Sequence, residues 1–185
     1  MKKSIISLIA FIFIFILSST SLFAEMKMQA AFGGEKDIEY SKYLWQKLED
    51  GKFNSTASNL YLGPPPHGGV REVLEGKIDE KRVLLKRNYG GAGITIEKVE
   101  ANRDLYLKAI TVMIKKDGFD PKNGDWFWAK YKADGTLDKT PKKQAIVGKF
   151  PGCIGCHQAA KKTDFVFIHN NELNGEVTLV ESLKK

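Results

Sequence analysis

Both cysteines of this 185-residue chain fall inside one five-residue run, Cys153-Ile154-Gly155-Cys156-His157. Two thiols three positions apart, followed at once by an imidazole, form a C-x-x-C-H pattern, the attachment signature of a c-type haem. The spacing has a chemical reason. Two such thiols reach the two vinyl groups of one porphyrin and form thioethers, and the next histidine lies under the iron as its proximal ligand. In that reading the iron does the chemistry and the protein tunes it.

The same residues have other readings. A dithiol redox site also uses C-x-x-C, but it wants a strand before the motif and a helix after it. Here Lys149-Phe150-Pro151-Gly152 precedes the run and reads as a loop. Structural zinc needs four ligands; only His67 and His169 remain as further histidines, and there is no second cysteine pair. A disulfide between Cys153 and Cys156 would close a very small loop and stabilise little. Haem is the best supported of the four.

The N-terminus points the same way. Lys2 and Lys3 precede an apolar run from Ile5 to Leu17, then Ser18 to Ser21, then Leu22-Phe23-Ala24 before Glu25. A basic start, a short apolar middle and a small residue at the cut make a secretory signal peptide over residues 1–24. The apolar run is shorter than the roughly 20 residues of a spanning helix, and an uncleaved membrane anchor is the alternative. Export and the C-x-x-C-H run predict each other, because c-type haem is attached outside the cytoplasm in bacteria. The expected location is the periplasm.

Residues 25–185 suit a single domain with its own core. The formal charge of +7 includes two lysines of the signal segment. The rest is mild and spread along the chain, with no basic aromatic stripe, so nucleic acid is not the expected partner. Lys142, Lys143, Lys149, Lys161 and Lys162 flank the cysteine run. They read either as a solvated face or as a patch that steers an acidic redox partner to the haem edge.

Along the domain, Glu35 to Asp50 has the periodicity of a helix. Residues 53–70 read as one irregular stretch, because Gly63-Pro64-Pro65-Pro66-His67-Gly68-Gly69 excludes regular structure. Strands are expected over 82–89, 94–99, 104–115, 125–131, 165–168 and 177–180, and a helical turn over 158–162. The 104–115 strand has apolar residues on both sides and reads as interior. In 125–131, Trp126 and Trp128 share one face and Phe127 and Tyr131 the other. Met113 reads as core rather than as a ligand. Asp117-Gly118, Asn123-Gly124 and Asp134-Gly135 are turn signals. The expected fold is α+β: an antiparallel sheet, an N-terminal helix and a C-terminal haem-binding loop. Small electron-transfer cytochromes carry C-x-x-C-H early in an all-helical fold; a late run on a β-rich body is something else.

The chain resembles the cytochrome P-460 family, which includes the cytochromes c′-beta, from about Pro66 to Phe167. The landmarks are Pro66-His67-Gly68, residues 83–89, Thr111-Val112-Met113, residues 124–131, the cysteine run with Gly152, and Asp164-Phe165-Val166-Phe167. The resemblance implies a periplasmic protein with one haem c, a sheet-rich fold, a homodimer, and iron held by one histidine with its other side open. Members of the enzymatic branch oxidise hydroxylamine and join a strand lysine to the porphyrin edge; the matching position here is Lys86. The cytochromes c′-beta lack the link and bind nitric oxide or carbon monoxide.

Lys86 is therefore read two ways, as a side chain reaching to solvent or as a nitrogen beside the haem. His67 is also read two ways, as a surface loop residue or as a group on the distal side of the iron. The expected function is a mono-haem c-type cytochrome with an open distal site that binds, and in the enzymatic reading oxidises, hydroxylamine or nitric oxide. The expected partner is a redox cytochrome. The alternatives are a gas binder without turnover and an electron carrier with His67 as sixth ligand.

Overall fold

The structure is a computed structural model that describes residues 31–50, 54–57, 59–64 and 66–167. The signal peptide over 1–24 and the strand expected over 177–180 lie outside the described residues. Helix α1 spans Glu35–Glu49. Strands follow at β1 Asn54–Ala57, β2 Tyr61–Leu62, β3 Val70–Ile78 and β4 Lys81–Tyr89. Two short helices, α2 Ile96–Ala101 and α3 Arg103–Tyr106, lead into β5 Leu107–Lys115. Then come β6 Trp126–Lys132, β7 Val147–Gly148 and α4 Pro151–His157, which runs into a 3-10 segment Gln158–Thr163.

The strands form one antiparallel sheet in the order β1-β3-β4-β5-β6-β7, with β2 also paired to β3. This is the α+β architecture expected from the sequence, with β5 interior between β4 and β6. Strand alternation divides the sheet into two working faces. On the first, Leu74, Val83, Leu85, Val112, Ile114, Phe127 and Tyr131 pack beneath α1, whose Leu44 is fully buried. Tyr131 locks the helix down: its hydroxyl donates to the Ser41 carbonyl at 2.8 Å, and its ring lies 4.9 Å from that of Trp45. On the second face, Val73, Leu84, Met113, Trp126 and Trp128 form an apolar wall against Phe165, Val166, Cys153 and Ile154.

Four sequence expectations are corrected. Strands β1 and β2 lie within the stretch 53–70 read as irregular, and strand β3 begins at its last residue and runs beyond it. Its polar residues hid it, because Arg71 and Glu72 are buried rather than solvated. Glu72 accepts from Arg87 at 3.0 Å, Arg103 at 2.8 Å and the Tyr89 hydroxyl at 3.3 Å. The strand expected over 94–99 is helix α2, started by Thr95, whose hydroxyl accepts from the Lys98 N–H at 3.3 Å. The strand expected from Asp104 starts only at Leu107, because Asn102 caps α3 through the Leu105 N–H. Phe165 sits in a turn, and Val166 and Phe167 carry no strand.

Candidate functional site

The C-x-x-C-H run folds as α4. Pro151 stands at the first helical turn, where its fixed φ and missing N–H cost nothing. One short helix thereby presents Cys153, Cys156 and His157 to the second face of the sheet. Between them lies a cavity of about 310 Å³, lined by all three residues and by Val73, Leu84, Met113, Trp128, Val166 and Phe167. Three nitrogen-bearing side chains join the same lining: Lys86, His67 and Lys130. Fold and sequence motif thus converge on one space.

His157 is buried, and its position is set from three sides. Its Nδ1–H donates to the Phe165 carbonyl at 2.6 Å. The Trp128 and Phe167 rings meet it edge-on at 4.6 Å and 5.1 Å. With Nδ1 engaged, Nε2 is the nitrogen left for a metal. Burial lowers its pKa, with the Phe165 carbonyl opposing and Lys86 adding to the effect. A neutral imidazole is the form that ligates.

The two thiols differ. Cys156 is exposed, whereas Cys153 is packed against the apolar wall. Burial pushes the Cys153 thiol up to about 12. A dithiol redox centre needs the opposite, a thiolate of lowered pKa in an electropositive, accessible setting. The flanking argument made from sequence does not hold by itself, since strand β7 ends shortly before α4; the packing of Cys153 into the apolar wall weighs against dithiol chemistry. Both cysteines are free of a disulfide, and among the described residues no group of three or more His, Cys, Asp or Glu is placed to hold a metal ion.

Lys86 is half-buried rather than fully solvated. It stands on β4 opposite Val73 and Thr111 and lines the cavity. Burial, helped by the Arg71 charge, lowers its pKa to about 8. His67 lines the cavity as well; burial first, then Lys86 and Arg71, lower its pKa to about 4, so it is neutral at pH 7. Its loop is fixed by Arg71, which donates to the carbonyls of Gly68 at 2.9 Å and His67 at 3.3 Å. Gly68 allows the approach, because any Cβ there would collide with the Tyr89 backbone. Arg71 and Lys130 were not singled out as site residues from the sequence, whereas Trp128 was one of three aromatic residues of which one was expected to line the haem. The signal was faint: Lys130 shares the Trp126 and Trp128 face of β6 by strict alternation, while Arg71 lay just past the stretch read as irregular, in no expected element.

The lining fits a covalently held haem. It offers two thiols and a free imidazole nitrogen on one helix, an apolar wall, and a buried Trp128 indole N–H with no partner among the described residues. The sequence profile of the cytochrome P460 family matches residues 75–168, a span that contains Lys86, the cavity strands β4 to β6, α4 and the turn that meets His157. The chain belongs to the cytochrome P460 family. No curated protein matches it. Membership of the cytochrome P460 family makes this a c-type cytochrome with a haem c cofactor. The matched span begins after His67 and Arg71, so that side of the cavity stands on geometry alone.

Proposed function

We propose that this cytochrome P460 protein is exported to the periplasm and holds one haem c in the cavity, with the distal side of the iron open to hydroxylamine or nitric oxide. One observation carries the reading: the two thiols, the imidazole and two nitrogen bases line a single apolar cavity. A haem held there would supply one-electron chemistry toward a small nitrogen compound, with a redox partner cytochrome as the acceptor of the electrons. Cys153 and Cys156 hold the porphyrin and His157 is the proximal ligand.

The remaining chemistry falls to the other nitrogens. A proton acceptor works best with a pKa near the working pH, and Lys86 at about 8 is the better match than His67 at about 4. Lys86 is thus the candidate base, and also the candidate for a bond to the porphyrin edge. Neutral His67 accepts a hydrogen bond from a bound molecule. Lys142, Lys143, Lys149, Lys161 and Lys162 are all exposed; Lys161 and Lys162, which follow α4 directly, supply a positive approach for the partner cytochrome, whereas the Lys149 ammonium lies over the Phe119 ring on the α1 side of the sheet.

A second reading, binding of nitric oxide without turnover, draws on one feature: among the described residues no carboxylate lines the cavity. The test is steady-state hydroxylamine oxidation by the purified haem protein with an added oxidant. Turnover that falls in Lys86→Met supports the enzymatic reading. Absence of turnover, with nitric oxide still bound, selects the gas binder. A six-coordinate ferrous spectrum that His67→Ala converts to five-coordinate overturns both in favour of an electron carrier.

A further inference from the structure

The turn after α4 holds a conformation that its residues resist. Asp164 and Phe165 take φ of 56° and 63°, two consecutive non-glycine residues in the left-handed region. A bulky aromatic residue there is a marked outlier. Such backbone persists only where its surroundings force it, and it gathers at functional sites.

The surroundings do force it. The Asp164 carboxylate accepts from Lys115 Nζ at 2.7 Å and from Arg82 Nη1 at 3.1 Å. Its carbonyl accepts from Trp126 Nε1 at 2.8 Å. Lys115 donates also to the Gly124 carbonyl at 2.6 Å and lies over the Trp126 ring. The Phe165 N–H donates to the Ala160 carbonyl at 2.8 Å. The Phe165 ring is buried against Gly124, where a Cβ would stand 2.9 Å from Cδ2. The product of this arrangement is the aim of one group, the Phe165 carbonyl at 2.6 Å from His157 Nδ1.

We propose that Asp164 is a positioning residue for His157, holding the strained turn so that the Phe165 carbonyl fixes the imidazole's rotation and its donor strength toward iron. Asp164 does not line the cavity, so it acts through the turn. The acceptor on the far nitrogen of a ligating histidine fixes its tautomer and basicity. A carbonyl clamped at one angle gives a single imidazole setting. A relaxed turn lets the ring rotate and the acceptor lengthen.

The proposal rests on the haem reading above. The experiment is resonance Raman spectroscopy of the ferrous holoprotein, read at the iron–histidine stretch, in wild type, Asp164→Ala, Asp164→Asn and Lys115→Met. Haem content and near-ultraviolet circular dichroism are measured on each. Asp164→Ala is expected to keep its covalent haem, because the thioethers are untouched, while the band shifts to lower frequency and broadens. Asp164→Asn, whose side chain tolerates positive φ, returns part of the shift. Lys115→Met, which removes one tether and leaves the turn residues intact, moves the band in the same direction by less. An unmoved band in folded, haem-loaded Asp164→Ala and Lys115→Met overturns the proposal. Wild type without covalent haem overturns the haem reading itself.

Discussion

Lys86 and His67 carry most of the cavity's acid–base character. In the haem-free chain their titrations feed into stability in opposite pH ranges. His67 has its pKa depressed from 6.5 to about 4 in the folded state. Between those values the unfolded chain binds more protons, so stability falls as pH drops through that window, by on the order of 2 kcal/mol. Lys86 is depressed from 10.5 to about 8. The unfolded chain again binds more protons between those values, so here stability rises with pH from 8 upward. Urea unfolding of the haem-free Cys153→Ser/Cys156→Ser variant across pH 4 to 10 checks both. His67→Gln flattens the acid limb and Lys86→Met the alkaline one. The same cysteine exchange is expected to abolish covalent haem in a host competent in cytochrome maturation, read by mass spectrometry.

At the scale of elements, β3 shows how a strand escapes notice. Burial of Arg71 and Glu72 makes two charged residues part of the interior, and each is used. Arg71 pins the His67 loop, and Glu72 ties β4 and α3 to β3 through Arg87 and Arg103. Removing the charge at Glu72 leaves its two half-exposed arginines to solvent but strands a buried amide, so Glu72→Gln is expected to destabilise by about 2 kcal/mol. The midpoint of a urea transition reads it. The α1 face behaves differently, because apolar packing dominates there. Leu44→Ala is expected to cost about 3 kcal/mol through the cavity it leaves. The periodicity of α1, with its one apolar side, and the alternation of β6, with aromatic residues on both faces, were plain in the sequence. In α2, by contrast, the capping hydroxyl of Thr95 outweighed an alternation too weak to make a strand.

For the whole molecule, the two faces of the sheet are unequal. One packs under α1; the other has α4, a strained turn and a cavity of about 310 Å³. An apolar wall left beside a cavity forfeits contacts that a bound porphyrin supplies. The covalent haem protein is therefore expected to melt several degrees above the cysteine-free variant, as ligand linkage to the folded state requires. Differential scanning calorimetry at pH 7 reads the gap, and equal melting temperatures would place the haem outside the cavity.

The sequence by itself determined the local chemistry: the thiols and imidazole of Cys153 to His157, the α1 periodicity and the two-sided character of β5 and β6. Each is written within a few neighbouring residues, where spacing alone decides what can face what. Only the tertiary structure decided that Lys86 and His67 share one cavity with His157, that Arg71 and Glu72 are interior, and that Asp164 stands behind the proximal carbonyl. Those relations join residues far apart in the chain, and strand register and burial, not spacing, bring them together.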